Sequence, residues 1–246
     1  MSLVFNDTTN YRGIVQMYER EIGVPRGDIS GNTNLLKEFT ADCNNALDDY
    51  TQLAISASGR WKFDDSNHTD YPEITTNLVA NQRSYTFTND EQNNIILDIY
   101  RVYVKDSQGK YQLINPIDPD TQIVDVTNYD GSNTTGFSYE YDKVANAILL
   151  NNVPPANVTD GLKVSINREA SYFTYTDTTK KAGIYGLHHK YLYLKPALEK
   201  ARRDSLSSHD RLERAVLMIE REITDGLNRR AKDERRRLVV RQESNR

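Results

Sequence analysis

The longest helical pattern in the sequence lies near its C-terminus. From Ser208 onward, apolar residues recur at steps of three and four, which places them on one face of an α-helix. These residues are Leu212, Val216, Ile219, Ile223 and Leu227. A helix over residues 208–240 would be about 50 Å long at roughly 1.5 Å per residue, which is too long for a compact domain of this size to bury throughout. We therefore expect part of it to project and to bind a partner.

Two more helices are predicted near the N-terminus. The first covers residues 10–22 and is followed by Gly23, a residue type that often ends helices. The second covers residues 33–58 and carries apolar residues at helical spacing. Cys43 lies among them, so we interpret it as a small core residue rather than a reactive thiol. A further helix follows the middle of the chain, and Pro196 is expected to kink it.

The middle of the chain, residues 64–181, reads as a series of short strands separated by turn residues. The predicted strands cover residues 84–88, 95–105, 111–114, 121–126, 136–141, 144–150 and 162–168. A tight turn at Asp142-Lys143 is expected to join the fifth and sixth of them. Several short strands with no helix between them are typical of an antiparallel sandwich or barrel.

The fold class that follows is α+β. The N- and C-terminal helices are expected to form a bundle, with an antiparallel β-sandwich or barrel-like region inserted between them and a long C-terminal helix or arm at the end. We predict a helical part over 1–63, a β domain over 64–181, helices completing the bundle over 187–228, and a basic arm over 229–246.

The net charge of −4 is unevenly distributed along the chain. Residues 1–186 hold 15 basic and 25 acidic residues, a net of −10, whereas residues 187–246 hold 16 and 10, a net of +6. Residues 229–246 alone hold 8 basic and 3 acidic residues, a net of +5. Such a tail is either a solvated end or an arm that docks on an acidic surface of another copy or another protein. A nucleic-acid arm is a weaker alternative, because no aromatic residues lie among the arginines and the rest of the chain is acidic.

The candidate docking arm combines arginines, which make paired hydrogen bonds to carboxylates, with an apolar triplet that could fill a groove. Its residues are Arg229, Arg230, Arg235, Arg236, Arg237, Leu238, Val239, Val240 and Arg241. We expect the free arm to be frayed, since little in its sequence can bury one face, and to become ordered on binding.

Candidate catalytic chemistry is sparse in this sequence. The four histidines lack metal-ligand spacing, and the single cysteine excludes an intramolecular disulfide. His188 and His189 are adjacent, so on a helix their rings point about 100° apart, and we interpret them as packing residues. No nucleophile motif or phosphate-binding glycine loop occurs. We therefore predict no enzyme activity, no cofactor and no metal, and no apolar stretch is long enough to cross a membrane.

Five stretches of the sequence resemble structural proteins encoded beside the capsid and portal genes of tailed bacteriophages. They are residues 57–67 (ASGRWKFDDSN), 70–72 (DYP), 75–85 (TTNLVANQRSY), 160–164 (DGLKV) and 168–173 (REASYF). The helix–β–helix order is similar to that of head-to-tail adaptor proteins, also called connector or neck proteins. The resemblance covers roughly residues 10 to 220, and its motifs look like packing and turn residues.

The resemblance implies a virion protein assembled in the host bacterial cytoplasm. It implies a ring of about twelve copies under the portal protein, a central channel through which genomic DNA passes without specific binding, a distal tail or nozzle protein, and a C-terminal segment that reaches the portal. Another virion ring or a tail-completion (nozzle) protein is an alternative. A receptor- or carbohydrate-binding virion module is a second alternative, because the 16 tyrosines suit interfaces as well as half-buried strands.

Overall fold

The computed structural model describes residues 3–58, 73–90, 93, 95–117, 135–144 and 146–232. The chain is a mixed α/β protein that divides into two compact units. One unit comprises Met1–Arg60 and Tyr172–Arg246, and the other comprises Trp61–Ser171. The described part of the first contains four α-helices, and the described part of the second contains seven β-strands.

The helices of the first unit are α1 (Ile14–Ile22), α2 (Thr33–Ser58), α3 (Tyr191–Arg203) and α4 (His209–Lys232), with a short 3-10 helix over Gly186–Lys190 before α3. Helix α3 contacts α1, α2 and α4, and α2 also contacts α4. Pro196 is buried inside α3, and the helix continues through it. Helix α3 therefore lies among the other described helices, since it contacts all three of them.

Helix α1 begins later than the sequence predicted. The Asp7 carboxylate accepts the backbone N–H groups of Thr9 and Asn10 at 3.1 and 2.9 Å, and Tyr11 has a left-handed φ of 53°. This turn satisfies the backbone in a non-helical conformation, so the helix can start only after it. Its other end matches the prediction, because Gly23 adopts φ 76° and caps the C-terminus.

Helices α2 and α4 follow their apolar patterns closely. The five residues predicted to share one face of α4 are all 3% exposed or less. On α2 the stripe Leu36, Phe39, Cys43, Ala46, Leu47, Tyr50 and Ala54 is buried as well. Cys43 is fully buried, and burial raises the pKa of its thiol, as expected for a core residue. Helix α4 spans 24 residues, about 36 Å.

The strands of the second unit form a single curled sheet, a half-barrel. They are β1 (Glu73–Leu78), β2 (Ser84–Thr86), β3 (Ile96–Lys105), β4 (Tyr111–Pro116), β5 (Glu140–Val144), β6 (Ala147–Leu150) and β7 (Val158–Arg168). The strand order is β1-β7-β3-β4-β5-β6-β2. The pairings are antiparallel except that of β4 with β5, which is parallel. The sheet is therefore mixed, whereas the sequence predicted antiparallel strands alone.

Two details of the sheet correct the sequence-based prediction. The turn expected at Asp142-Lys143 lies further on, because β5 continues to Val144 and Lys143 pairs with the Asp98 carboxylate from within the strand. Strand β7 begins at Val158, before the predicted start at residue 162, and it contains a bulge where Asp160 adopts φ 49° and the register with β1 shifts. The predicted strand over 121–126 lies outside the described residues.

Strand β1 was not predicted at all. Its sequence, EITTNL, has only two large apolar residues, and both of them, Ile74 and Leu78, face the core. β7 packs closely against it: a side chain added at Gly161 would come within 2.7 Å of the Leu78 side chain. The sheet core comprises buried residues from all seven strands, among them Val102, Ile114, Tyr141, Ile148, Leu162 and Val164.

Candidate functional site

The predicted docking arm begins inside helix α4. Arg229 and Arg230 lie in its last turns, and the Arg229 side chain is exposed. The remaining predicted arm residues, Arg235, Arg236, Arg237, Leu238, Val239, Val240 and Arg241, lie outside the described residues. The first part of the arm is thus helical up to Lys232 and is a continuation of a helix whose other face is buried.

Helix α4 is held in place by polar contacts at both flanks of its buried face. Arg211 donates to the Glu21 carboxylate at 2.8 Å, and the Lys190 ammonium donates to Glu222 at 2.8 Å. The Tyr191 hydroxyl donates to Glu220 at 3.2 Å. Burial raises the pKa of Tyr191, so its hydroxyl remains a donor at neutral pH. These contacts orient α4 relative to the other helices of its own unit.

The two adjacent histidines are packing residues, as the sequence predicted. The Nδ1 atom of His188 lies 2.8 Å from the hydroxyl of Tyr50. His189 accepts the Leu3 N–H at Nδ1 (3.0 Å) and has Nε2 3.2 Å from the Ile184 carbonyl, which fits a neutral ring protonated at Nε2. Both rings are buried. His209 lies beside Asp210, at 3.2 Å, and His68 lies outside the described residues.

A buried carboxylate organises the loop after α1. Glu19 is 1% exposed, and its oxygens accept the backbone N–H groups of Gly27, Ile29 and Ser30 at 2.9–3.1 Å. The Ser30 hydroxyl adds a fourth hydrogen bond at 3.2 Å. These hydrogen bonds from the loop replace the hydrogen bonds to water that the carboxylate loses when it is buried. Glu19 consequently has a structural role, although buried acids often suggest catalysis.

We expect Glu19→Ala to lower the free energy of unfolding by about 3 kcal/mol, because it leaves several N–H donors of one loop without an acceptor. Urea denaturation measures this change. Glu38→Ala on the exposed side of α2 is the matched control and should change stability by less than about 0.5 kcal/mol. Equal effects of the two substitutions would contradict the structural role of Glu19.

The curled sheet contains a cavity with a volume of about 680 Å³. Its wall includes Phe137 and Tyr139, whose rings pack edge to face with centroids 4.8 Å apart. Tyr139 is 69% exposed and Leu113 56%. Cavities of this size in the mouths of barrels are a usual place for ligands.

The polar groups at this cavity are engaged by their own hairpin. Asp106 accepts the Gln112 amide at 2.9 Å and the N–H groups of Gln108 and Lys110 at 2.8 and 2.9 Å. The hydrogen bond from Gln112, followed by those from the backbone, lowers the pKa of Asp106. The Lys105 ammonium binds the Thr159 carbonyl at 3.0 Å. The wall of the cavity therefore offers mainly aromatic and aliphatic surface.

Sequence reasoning missed both Glu19 and this cavity. Glu19 sits on a short amphipathic helix, where its spacing looks like that of any surface acid, and the N–H groups that donate to it lie in a loop without a motif. The cavity depends on strand order, which places residues from β4 and from the segments around residues 137 and 155 side by side. Within the described ranges, no group of three histidine, cysteine or acidic residues could hold a metal ion.

No protein-family model matches this sequence, and no curated protein matches it significantly. Likewise, no helix in the described part of the chain is both long and apolar enough to cross a membrane. The functional assignment below therefore depends on the residues themselves and on the resemblance described above.

Proposed function

We propose that this chain is a structural virion protein, a head-to-tail adaptor. About twelve copies form a ring under the portal protein, line a channel for genomic DNA and join the head to a distal tail or nozzle protein. The observation that supports this best is the end of α4. The helix is anchored by five buried residues, its Arg229 is exposed, and the sequence from that residue onward has a net charge of +5.

An anchored helix that ends in a basic segment suits docking in a ring. Each arginine can make two hydrogen bonds to a carboxylate, and Leu238, Val239 and Val240 provide an apolar anchor between arginines. A single arm that orders on binding would hold its partner weakly, since ordering costs entropy. Many arms presented by one ring would bind together with much higher avidity.

The remaining features agree with a structural role. The buried polar groups that resemble catalytic residues, Glu19, His188 and His189, are occupied by contacts within the fold. Residues 1–186 have a net charge of −10, which repels phosphates, so a channel lined by them would let DNA slide. In this proposal the helical ends form a bundle, and the β region is a sandwich-like or barrel-like body that supplies much of the ring's outer or distal surface.

Native mass spectrometry tests the ring directly. Twelve copies of a 28.2 kDa chain give a free ring of about 340 kDa, and the same ring on a portal adds about 340 kDa to the mass of the portal. A protein that remains monomeric even with portal rings present would contradict the proposal.

Assembly should also protect the exposed tyrosines of the β unit. Tyr139 is 69% exposed in the single chain, so a tyrosine-selective reagent should label it readily in the free protein. We expect labelling to fall several-fold in assembled particles, because an outer or distal surface of the ring meets a neighbouring protein. Peptide mass spectrometry provides the measurement, with exposed Tyr11 of the helical unit as an internal comparison. Unchanged labelling of Tyr139 would argue against an interface there.

The cavity in the curled sheet favours a second candidate function, a receptor- or carbohydrate-binding virion module. An exposed tyrosine beside a cavity of about 680 Å³ is a suitable surface for an amphipathic ligand such as a sugar. A glycan array distinguishes the two functions. Saturable glycan binding that Tyr139→Ala abolishes and that deletion of residues 229–246 leaves intact would favour the receptor module. No glycan binding, together with portal binding, favours the adaptor.

A further inference from the structure

The side of α4 opposite its buried stripe carries an apolar centre between charged residues. Residues Arg214, Leu217, Met218, Arg221 and Asp225 are all exposed, and their spacing places them on one helical face, the outer face of α4. Leu217 is 52% and Met218 65% exposed. Two adjacent large apolar side chains in the middle of a charged helix face indicate a contact surface rather than a solvated one.

The charged residues of the outer face have no ion-pair partner among the described residues. Arg211 and Glu222, which flank the face, pair with Glu21 and Lys190. By contrast, Arg214, Arg221 and Asp225 form no ion pair with any residue in the part of the chain that the structure describes. Their charges are thus available to a partner.

The arrangement of these charges is self-complementary. Arg214 and Asp225 are equidistant from a point between residues 219 and 220, and Asp210 and Arg229 are equidistant from the same point. Of the outer-face residues, Met218 and Arg221 lie nearest to this point. If a second α4 is laid antiparallel with this point as the twofold axis, each Arg214 comes opposite Asp225 of the second copy. Each Asp210 then lies level with Arg229 of the second copy.

We propose that the outer face of α4 binds the same face of a second copy, as an antiparallel helix pair with twofold symmetry. The paired charges favour this register over a shift of one helical turn, which would place Arg214 opposite Arg221 or Arg229 of the second copy. Leu217 and Met218 supply the apolar contact beside the axis, with the alkyl part of Arg221 packed over them. Such an interface is isologous: the same patch is used on both copies.

The contact should be weak. The outer face has far fewer than the 20–30 residues per side of a standard stable interface. We therefore expect a reversible dimer with a Kd in the micromolar range or weaker. It concerns the free protein and requires neither the portal nor a ring.

Charge exchange provides the decisive experiment, because an isologous pair makes a distinctive prediction. Arg214→Asp places two acids opposite each other at both ends of the contact, and Asp225→Arg places two arginines there. Sedimentation velocity of the full-length variants up to millimolar concentration should show each variant dimerising at least about tenfold more weakly than the original chain. An equimolar mixture of the two should regain dimerisation, because every 214–225 contact is then an acid facing an arginine. A mixture as weak as its components would overturn the proposal.

Cross-linking provides a readout that is independent of any ring. Equivalent residues meet only across a twofold axis, so Met218→Cys should be joined in pairs by a short bismaleimide reagent. The native Cys43 is fully buried, and the unsubstituted chain is the control. We expect covalent dimers of the Met218→Cys variant. We expect these dimers to disappear when Arg214→Asp is added to the same chain. No cross-linked dimer at concentrations where the chain associates would overturn the proposal while leaving portal docking untouched.

Discussion

Removing residues 208–246 should leave a remainder that does not fold. The five buried residues of α4 fill one side of the helical core, and α2 and α3 both pack against that helix. Without α4, core side chains such as Tyr50 and Tyr191, which are fully buried in the intact chain, would be left exposed to water. An exposed apolar core surface favours aggregation, so we expect the shortened chain to be insoluble. A soluble 1–207 fragment that melts cooperatively would contradict this.

A matched pair of single substitutions measures the same contribution within the intact chain. Ile219 is 1% exposed and Leu217 is 52% exposed, two residues apart on the same helix. We expect Ile219→Ala to lower the free energy of unfolding by about 2–5 kcal/mol, through lost burial and the cavity left behind. Leu217→Ala should change it by less than about 0.5 kcal/mol in the monomer. Urea denaturation at low protein concentration compares the two, and equal effects would show that α4 is not part of the core.

The second large effect is expected on assembly rather than on folding. Deleting residues 229–246 should leave a soluble, cooperatively folded protein that no longer joins portal rings. The cut falls after all five buried residues of the α4 apolar face, from Leu212 to Leu227, so these residues remain in the shortened chain. The deletion removes the arm, with its net charge of +5, from every copy in the ring, so the avidity of many arms is lost. Thermal unfolding followed by circular dichroism checks the fold, and co-sedimentation with portal rings checks assembly.

The helices could be predicted well because their signal is local. The 3.6-residue period located α2 and the buried face of α4, and Gly23 marked the end of α1. The errors came from side chains that compete with the helix, since the Asp7 turn delays α1.

The sheet could be predicted only in outline. Apolar alternation indicated most of the described strands, but β1 is short and has only two large apolar residues. The polar pair Asp142-Lys143 has the composition of a turn, yet both residues are paired with β6. Strand order and the parallel β4–β5 pair depend on contacts between distant residues, which a local pattern does not contain. The same reason applies to the cavity.

The candidate sites divide in the same way. The arginine-rich arm is a feature of composition, so the sequence alone indicates it, whereas its partner does not follow from composition. The self-complementary face of α4 could have been found from the spacing of Arg214 and Asp225, but only burial shows that these residues point away from the core. Glu19 needed the folded loop, because its acceptor role is formed by backbone groups of residues 27–30.

The central claim, that the basic arm joins this protein to the portal, is tested most directly by reversing its charge without shortening the chain. The test variant replaces Arg235, Arg236 and Arg237 with glutamate. The control replaces the exposed Arg12, Arg20 and Arg26 with glutamate, so both variants have the same net charge. Each variant is mixed with purified portal rings, and the bound fraction is measured by co-sedimentation. We expect the arm variant to lose binding while its melting temperature stays nearly unchanged, and the control to bind like the original chain. If the arm variant sediments with portal rings as fully as the original chain does, the arm is a solvated tail and the proposed docking is wrong.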